Sequence, residues 1–424
     1  MAIQEKKIWV YADWSDLKAC KLLGILTAQH VRGKEIFSFE YEKEWLQNDH
    51  SLFLDPNLNF YQGKQYLQES ENNFGVFLDS SPDRWGRLLM RRRESIVAKQ
   101  ENRSEKIYFE SDYLLGVYDG HRMGGLRFKI DPSGEFLNDN REMASPPWTS
   151  LRELEYASLQ LENDDAVNDP QYLKWLSMLV NPGSSLGGAR PKASVIDEKQ
   201  HLWIAKFPSV QDTKDVGAWE MVVHALAIEC GIHVPEAKLI RFSGKHHTYL
   251  SKRFDRTEMG HRIHYASAMT LLGYSDGADN NEGVSYLEMA EFIIQRGSNV
   301  TQELEQLWRR ILFNILISNT DDHLRNHGFL LTKSGWQLSP AYDMNPNEFG
   351  TGLKLNINDS SNELDISLAL EVAKYFKLSE ANSNRILSEM QKSLKDWNKV
   401  AKHFGISNSE IELTKNAFKN ILFS

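Results

Sequence analysis

The stretch Asn319-Thr320-Asp321-Asp322-His323-Leu324-Arg325-Asn326-His327-Gly328 places a dense run of polar groups between two apolar segments. Asp321 and Asn326 are five positions apart, the D-x-x-x-x-N spacing of a phosphoryl-transfer loop. In that chemistry an aspartate accepts the proton of the acceptor hydroxyl and an asparagine oxygen ligates magnesium. Asp343, in LSPAYDMNP, follows Asn326 by 17 residues. A carboxylate there can meet Asn326 at one ion, because Mg²⁺ takes hard oxygen ligands and keeps waters. His323 sits beside two acids, but no second His or Cys has zinc spacing. It is read as a hydrogen-bonding residue of the loop at the nucleotide site. The plain alternative for the whole stretch is a polar helix-capping loop.

Phosphoryl transfer also needs donors around the phosphates and a cation. The run Ser184-Ser185-Leu186-Gly187-Gly188-Ala189-Arg190-Pro191-Lys192 supplies adjacent glycines, which let backbone N–H groups approach phosphate oxygens. It is not a Walker loop, which ends in Gly-Lys-Ser/Thr, and an ordinary turn would look similar. Lys206 lies among apolar residues in LWIAKFP, and Glu220 follows 14 residues later. A strand lysine followed by a helix glutamate is how kinases hold the lysine on the α/β-phosphates. An edge-strand lysine with its head in water is the bland reading. No one piece is decisive; the order Gly-loop, Lys, Glu, Asp-x₄-Asn, Asp is far more specific.

The elements that must position these residues follow from periodicity. KASVI and LWIAKF read as strands joined by a turn at Asp197–Gln200. Val216, Trp219, Val223, Leu226 and Cys230 recur at helical spacing, with Gly231 as the stop. AKLIRF and HTYLSKRF read as strands. From Thr301 to Ser318 an amphipathic helix carries Leu304, Leu307, Trp308, Ile311, Leu312, Ile315 and Leu316. A hairpin follows, GFLLT–KSG–WQLS, and about three short helices close the chain. Upstream, KKIWVYADW, FSFEY and GGLRFKI read as strands. A helix follows Pro82 with Arg84, Arg87, Arg91, Arg92 and Arg93; a solvated face or internal salt bridges is the plain reading, a partner or phosphate contact the sharper one. MASPPWTS reads as a linker, since Pro-Pro excludes helix and central strand.

The 41% hydrophobic and 25% charged residues give a globular balance, and 424 residues imply two or three structural units. A net charge of −9 argues against non-specific nucleic-acid binding by the bulk surface. Cys20 and Cys230 make neither a disulfide framework nor a metal site, so a reducing cytoplasm fits; Cys230 reads as a small buried hydrophobe. The N-terminus lacks the apolar region of a signal peptide. The strongest apolar run, Ile311 to Ile317, is too short to span a bilayer. A soluble protein without membrane contact is expected.

At SSLGGARPKA, WIAKFP, LSKRFDR, NTDDHLRNHGF and LSPAYDMNP the chain resembles the HipA family of bacterial toxin kinases, in that family's order; SPDRWGRLL and RMGGLRF resemble its first subdomain. The resemblance implies an α/β (α+β) fold, two-lobed and akin to protein and phosphoinositide kinases. It implies an N-terminal subdomain over 1–150, a nucleotide lobe with the Gly-rich loop over 151–255, and a helical lobe with the catalytic loop over 256–424. ATP and Mg²⁺ are the implied cofactors. Lys206 would hold the ATP phosphates, Asp321 would be the catalytic base, and Asn326 and Asp343 the magnesium ligands. The backbone from Lys252 to Phe254 would hold the adenine. Ser185 matches the family's autophosphorylated serine, with Ser184 a substitute. The implied activity is serine/threonine protein phosphorylation, with aminoacyl-tRNA synthetases as the known substrate class. The implied partner is a small helix-turn-helix antitoxin of the HipB type, through which any DNA contact would run.

Two departures bear on substrate choice: Asp322 stands where some relatives have Gly, and Arg190-Pro191 precedes the loop lysine. Two other readings stay open. One is a catalytically weak ATP-binding scaffold acting with an antitoxin in a DNA-bound repressor complex. The other is a phosphoinositide or small-molecule kinase, because fold does not fix substrate.

Overall fold

The computed structural model describes residues 4–47, 52–67, 71–141, 144–180, 190–242 and 244–422. The chain forms two compact units, Met1–Val210 with Asp255–Ser275, and Gln211–Phe254 with Asp276–Ser424. One cut falls between Phe254 and Asp255, and the others follow Val210 and Ser275.

The first unit is built on a five-stranded sheet. Its strands are β1 (Gln4–Ala12), β2 (Lys21–Val31), β3 (Lys34–Tyr41), β4 (Gln65–Tyr66) and β5 (Leu126–Lys129), in the order β4-β3-β2-β1-β5. β1 runs antiparallel to both β2 and β5. β2, the longest of these strands, was not among the expected elements. Its run LLGIL lacks apolar–polar alternation because several neighbouring residues on both faces are buried. The expected helix after Pro82 spans Arg84–Gln100. Its Arg87 grips Glu110 with two bonds of 2.6 and 2.7 Å, and Arg92 donates to the Leu161 carbonyl at 2.8 Å. For these two arginines the internal reading of the basic run holds.

The hairpin Lys192–Ile196 and Leu202–Lys206 also lies in this unit, with Lys192 opposite Lys206. The expected linker is packed against it. Ile196 donates to the Pro146 carbonyl at 3.1 Å, and Trp148 meets Trp203 edge-on at 5.1 Å. Pro-Pro blocks helix and ladder, but it leaves the carbonyls free to accept. The segment from Asp255 belongs here too, since the Gly124 amide donates to the Asp255 carboxylate at 2.9 Å.

In the second unit the helix Val216–Glu229 is buried along most of its length and starts on Asp215, whose carboxylate accepts from the Ala218 amide. Gly231 follows with φ +71°, the left-handed stop expected. Cys230 is buried and its thiol is pushed up to about 12 by that burial, as suits a small hydrophobe. The strands Ala237–Ile240 and Thr248–Lys252 pair antiparallel. The helix Val300–Ile317 forms the centre of the core: Leu304, Leu307, Trp308, Ile311, Leu312, Ile315 and Leu316 are all fully buried. The hairpin Gly328–Thr332 and Gly335–Leu338 follows, and the helices Glu380–Leu394, Trp397–His403 and Asn408–Thr414 come near the end. Among the described residues no helix is long and apolar enough to cross a membrane.

Candidate phosphoryl-transfer site

The 300–317 helix ends at Ser318, which is left-handed at φ 51°. A non-glycine there needs support, and the Ser318 hydroxyl donates to the Ala417 carbonyl at 2.8 Å. Asn319 turns back on the helix: its amide N–H donates to the Asn314 carbonyl at 2.9 Å and its Nδ2 to Asn314 Oδ1 at 3.0 Å. Its own Oδ1 accepts from the Asn345 amide at 3.2 Å. The Asn347 amide donates to the Ser318 carbonyl at 3.1 Å, and Asn347 Nδ2 to Thr320 Oγ1 at 2.7 Å. Gly350 sits so near Thr320 that a Cβ would lie 2.3 Å from its Cγ2. These bonds fasten the loop around Asp321 to the loop that follows Asp343. Asp321 is exposed and lines a cleft of about 840 Å³.

Asn326 is buried. Its amide donates to the His323 carbonyl at 2.8 Å and its Nδ2 to the Asp321 carbonyl at 3.0 Å. Its Oδ1 is buried and accepts no hydrogen bond. A buried amide oxygen left bare costs free energy, and a hard oxygen held in that state fits a Mg²⁺ ligand. Asp343 takes φ 59°. Its neighbour Tyr342 donates to the Arg325 carbonyl at 2.8 Å and lies 5.5 Å, ring to ring, from Phe254. Tyr249 is pushed well above its ordinary pKa by burial and then by the fields of Glu220 and Asp343. Both carboxylates therefore act on that one hydroxyl. Glu220 is buried in the 216–229 helix. Lys252 ends its strand, donating its amide to the Glu236 carbonyl at 2.8 Å. Among the described residues no group of three His, Cys, Asp or Glu could hold a metal ion; the His323 carbonyl accepts from the Asn326 amide, and the His323 ring Nδ1 is buried without a hydrogen bond.

Asp322 is the residue whose role the sequence left unread. It is buried and accepts from Tyr286 Oη at 2.6 Å and His327 Nε2 at 2.7 Å. Burial opposes its charge, but His327, Tyr286 and His323 outweigh burial and hold its carboxyl below the usual range. Arg310, also buried, is drawn down to about 10 by burial, against the pull of Asp322 and Tyr342. The doubled acid after Thr320, with His327 five residues on, was the available signal.

In the first unit Lys206 ends its strand, half-buried. Lys192, which the sequence groups with the Gly-rich loop as a nucleotide-site residue, has its Nζ 2.8 Å from Asp83 Oδ2 with both side chains almost wholly buried. Asp83 also caps the 84–100 helix by accepting from the Gly86 amide at 2.8 Å. That ammonium is paired with an internal carboxylate. Ser184, Ser185, Leu186, Gly187, Gly188 and Ala189 lie outside the described residues.

A family model for the HipA-like C-terminal domain matches residues 184–398. A Haemophilus influenzae protein with a provisional kinase name is 31% identical over 179 residues, which are 38% of this chain and 52% of that protein. The serine/threonine-protein kinase toxin HipA of Shewanella oneidensis is 28% identical over 263 residues, 55% of this chain and 59% of the toxin. The chain thus spans little more than half the length of these relatives. Among solved structures, Shewanella oneidensis HipA, determined with HipB and operator DNA, superposes with a TM-score of 0.64 at 17% identity. It covers 98% of this chain and 96% of its own, so the two share a fold, of the kinase-like mixed helix-and-sheet class expected. With the family model matching over half of its length, the chain belongs to the family of the HipA-like C-terminal domain.

Proposed function

We propose that this chain is an ATP- and Mg²⁺-dependent kinase that phosphorylates a serine or threonine of a protein. The observation that carries the reading is the Asp321–Asn326 loop, with the Asn326 oxygen buried and bare and Asp321 exposed beside a cleft. Asp321 would accept the acceptor hydroxyl's proton. Asn326 and Asp343 would hold the magnesium, which supplies charge neutralisation at the phosphates. Lys206 with Glu220 would hold the α/β-phosphates, and the Lys252–Phe254 backbone the adenine. The functional division into 1–150, 151–255 and 256–424 belongs to the same proposal. A translation component such as an aminoacyl-tRNA synthetase is the substrate class that the resemblance to the HipA toxin kinases implies. The Shewanella oneidensis complex favours a HipB-like antitoxin as the route to DNA. Ser185, or Ser184, is proposed as an autophosphorylated residue whose added charge disfavours the ATP-bound loop.

The test is transfer of the γ-phosphate of labelled ATP to protein. Asp321→Asn should leave ATP affinity within a few-fold and remove nearly all turnover, because the base acts mainly in the transition state. Labelling, including that of Ser185, should vanish with it. Undiminished labelling by the variant refutes the assignment, and ATP binding with no transfer by the native chain points instead to the scaffold.

A further inference from the structure

We propose that the cleft beside Asp321 is a docking groove for an extended, basic segment of the acceptor protein, with Phe349 on its rim as the apolar anchor. This rests on the kinase reading and names the acceptor's chemistry. The cleft, about 840 Å³, lies within one unit and carries three carboxylates, Asp279, Asp321 and Glu363, against one ammonium, Lys354. Such a lining attracts cations and repels phosphate-bearing acceptors. Its one large apolar lining residue, Leu353, is buried, so the cleft offers no slot for an acyl chain. The rest of the wall is mainly amide and hydroxyl side chains, which suit the hydrogen-bonding edge of a polypeptide.

Phe349 belongs to the loop that runs between two wall residues, Asn347 and Thr351; its side chain is outside the lining itself and is 85% exposed. Its loop is fixed from beneath. Asn347 bonds Thr320 at 2.7 Å and accepts from the Phe349 amide at 3.1 Å, and Gly350 is pressed against Thr320. An aromatic held in water on a pinned loop is pre-organised to receive an apolar side chain at little ordering cost. Thr320 directly precedes Asp321, so anchor and base share one support.

The experiment uses the full chain on an array of peptides with a fixed central serine and flanks varied among basic, acidic and apolar residues. Retention is read without nucleotide, and transfer with labelled ATP·Mg²⁺. The native chain should retain peptides carrying a basic and an apolar flank. Glu363→Lys should shift the charge preference toward acidic flanks by about tenfold. Phe349→Ala should weaken retention by about tenfold whatever the flank charge. Both residues are exposed, and an unchanged melting midpoint confirms intact variants. No retained peptide, retention indifferent to charge, a preference unmoved by Glu363→Lys, or competition by a soluble inositol phosphate overturns the groove. Peptides discriminated as expected but never phosphorylated leave the groove standing and remove the kinase reading. Phosphorylation indifferent to both variants does the reverse.

Discussion

Asp322→Ala removes the acceptor that Tyr286 and His327 share. Two buried donors are then stranded, at about 1–3 kcal/mol each. Arg310 also loses a field that offsets its burial. Breaking a buried charge arrangement from one side costs about 3–5 kcal/mol, and that is the expected loss. Asp322→Asn keeps the shape and one acceptor oxygen, so about 1–2 kcal/mol is expected. Urea unfolding followed by tryptophan emission measures both, since Trp219 and Trp308 are fully buried in this unit. The sign of the pH dependence follows from the direction of the shift. The folded carboxyl lies below its ordinary value, so its contribution is present above the unfolded pKa, about 4, and is lost as pH falls through the folded one. The gap between native chain and Asp322→Asn should therefore be constant near neutrality and close in acid. Equal midpoints at pH 7, or a gap that survives acidification, would refute the network's role.

Lys192→Met should strand the Asp83 charge and cost about 3–5 kcal/mol, with nucleotide affinity otherwise intact; calorimetric titration showing lost affinity at unchanged stability would return Lys192 to the phosphates. Asn326→Ala should cut the Mg²⁺ enhancement of ATP binding by about tenfold, the order expected for loss of a metal contact, whereas His323→Ala should leave it. Equal enhancement in the Asn326 variant contradicts its role.

The parts of the site that were legible in the sequence are those set by short spacing. Asp321 and Asn326 are tied through one turn, Asn326 Nδ2 to the Asp321 carbonyl, and the helix before them announces itself by its period. What stayed hidden depends on partners far along the chain. Tyr286 lies 36 residues from Asp322, and Asp83 lies 109 from Lys192. A lysine beside a glycine loop looks the same in sequence whether its partner is a phosphate or a buried carboxylate. β2 was missed for a related reason: burial on both faces erases alternation.

Asp343 joins backbone and chemistry most sharply. At φ 59° it occupies a region that favours glycine, at a cost of order 1–3 kcal/mol for a side-chain-bearing residue. Aspartate bears that conformation better than most, but a residue chosen only for the turn would be glycine. A carboxylate in that conformation is explained if its oxygen is needed. Two variants separate turn from ligand. Asp343→Ala removes the carboxylate and keeps the strain; Asp343→Gly removes both, while a looser unfolded chain takes back about 0.4–1 kcal/mol. Both should lose the Mg²⁺ enhancement of nucleotide binding alike. In thermal unfolding Asp343→Gly should match or exceed Asp343→Ala. If the glycine variant is the less stable of the two, the left-handed backbone is not where the cost lies. If either keeps the Mg²⁺ enhancement, the carboxylate serves the fold and not the ion.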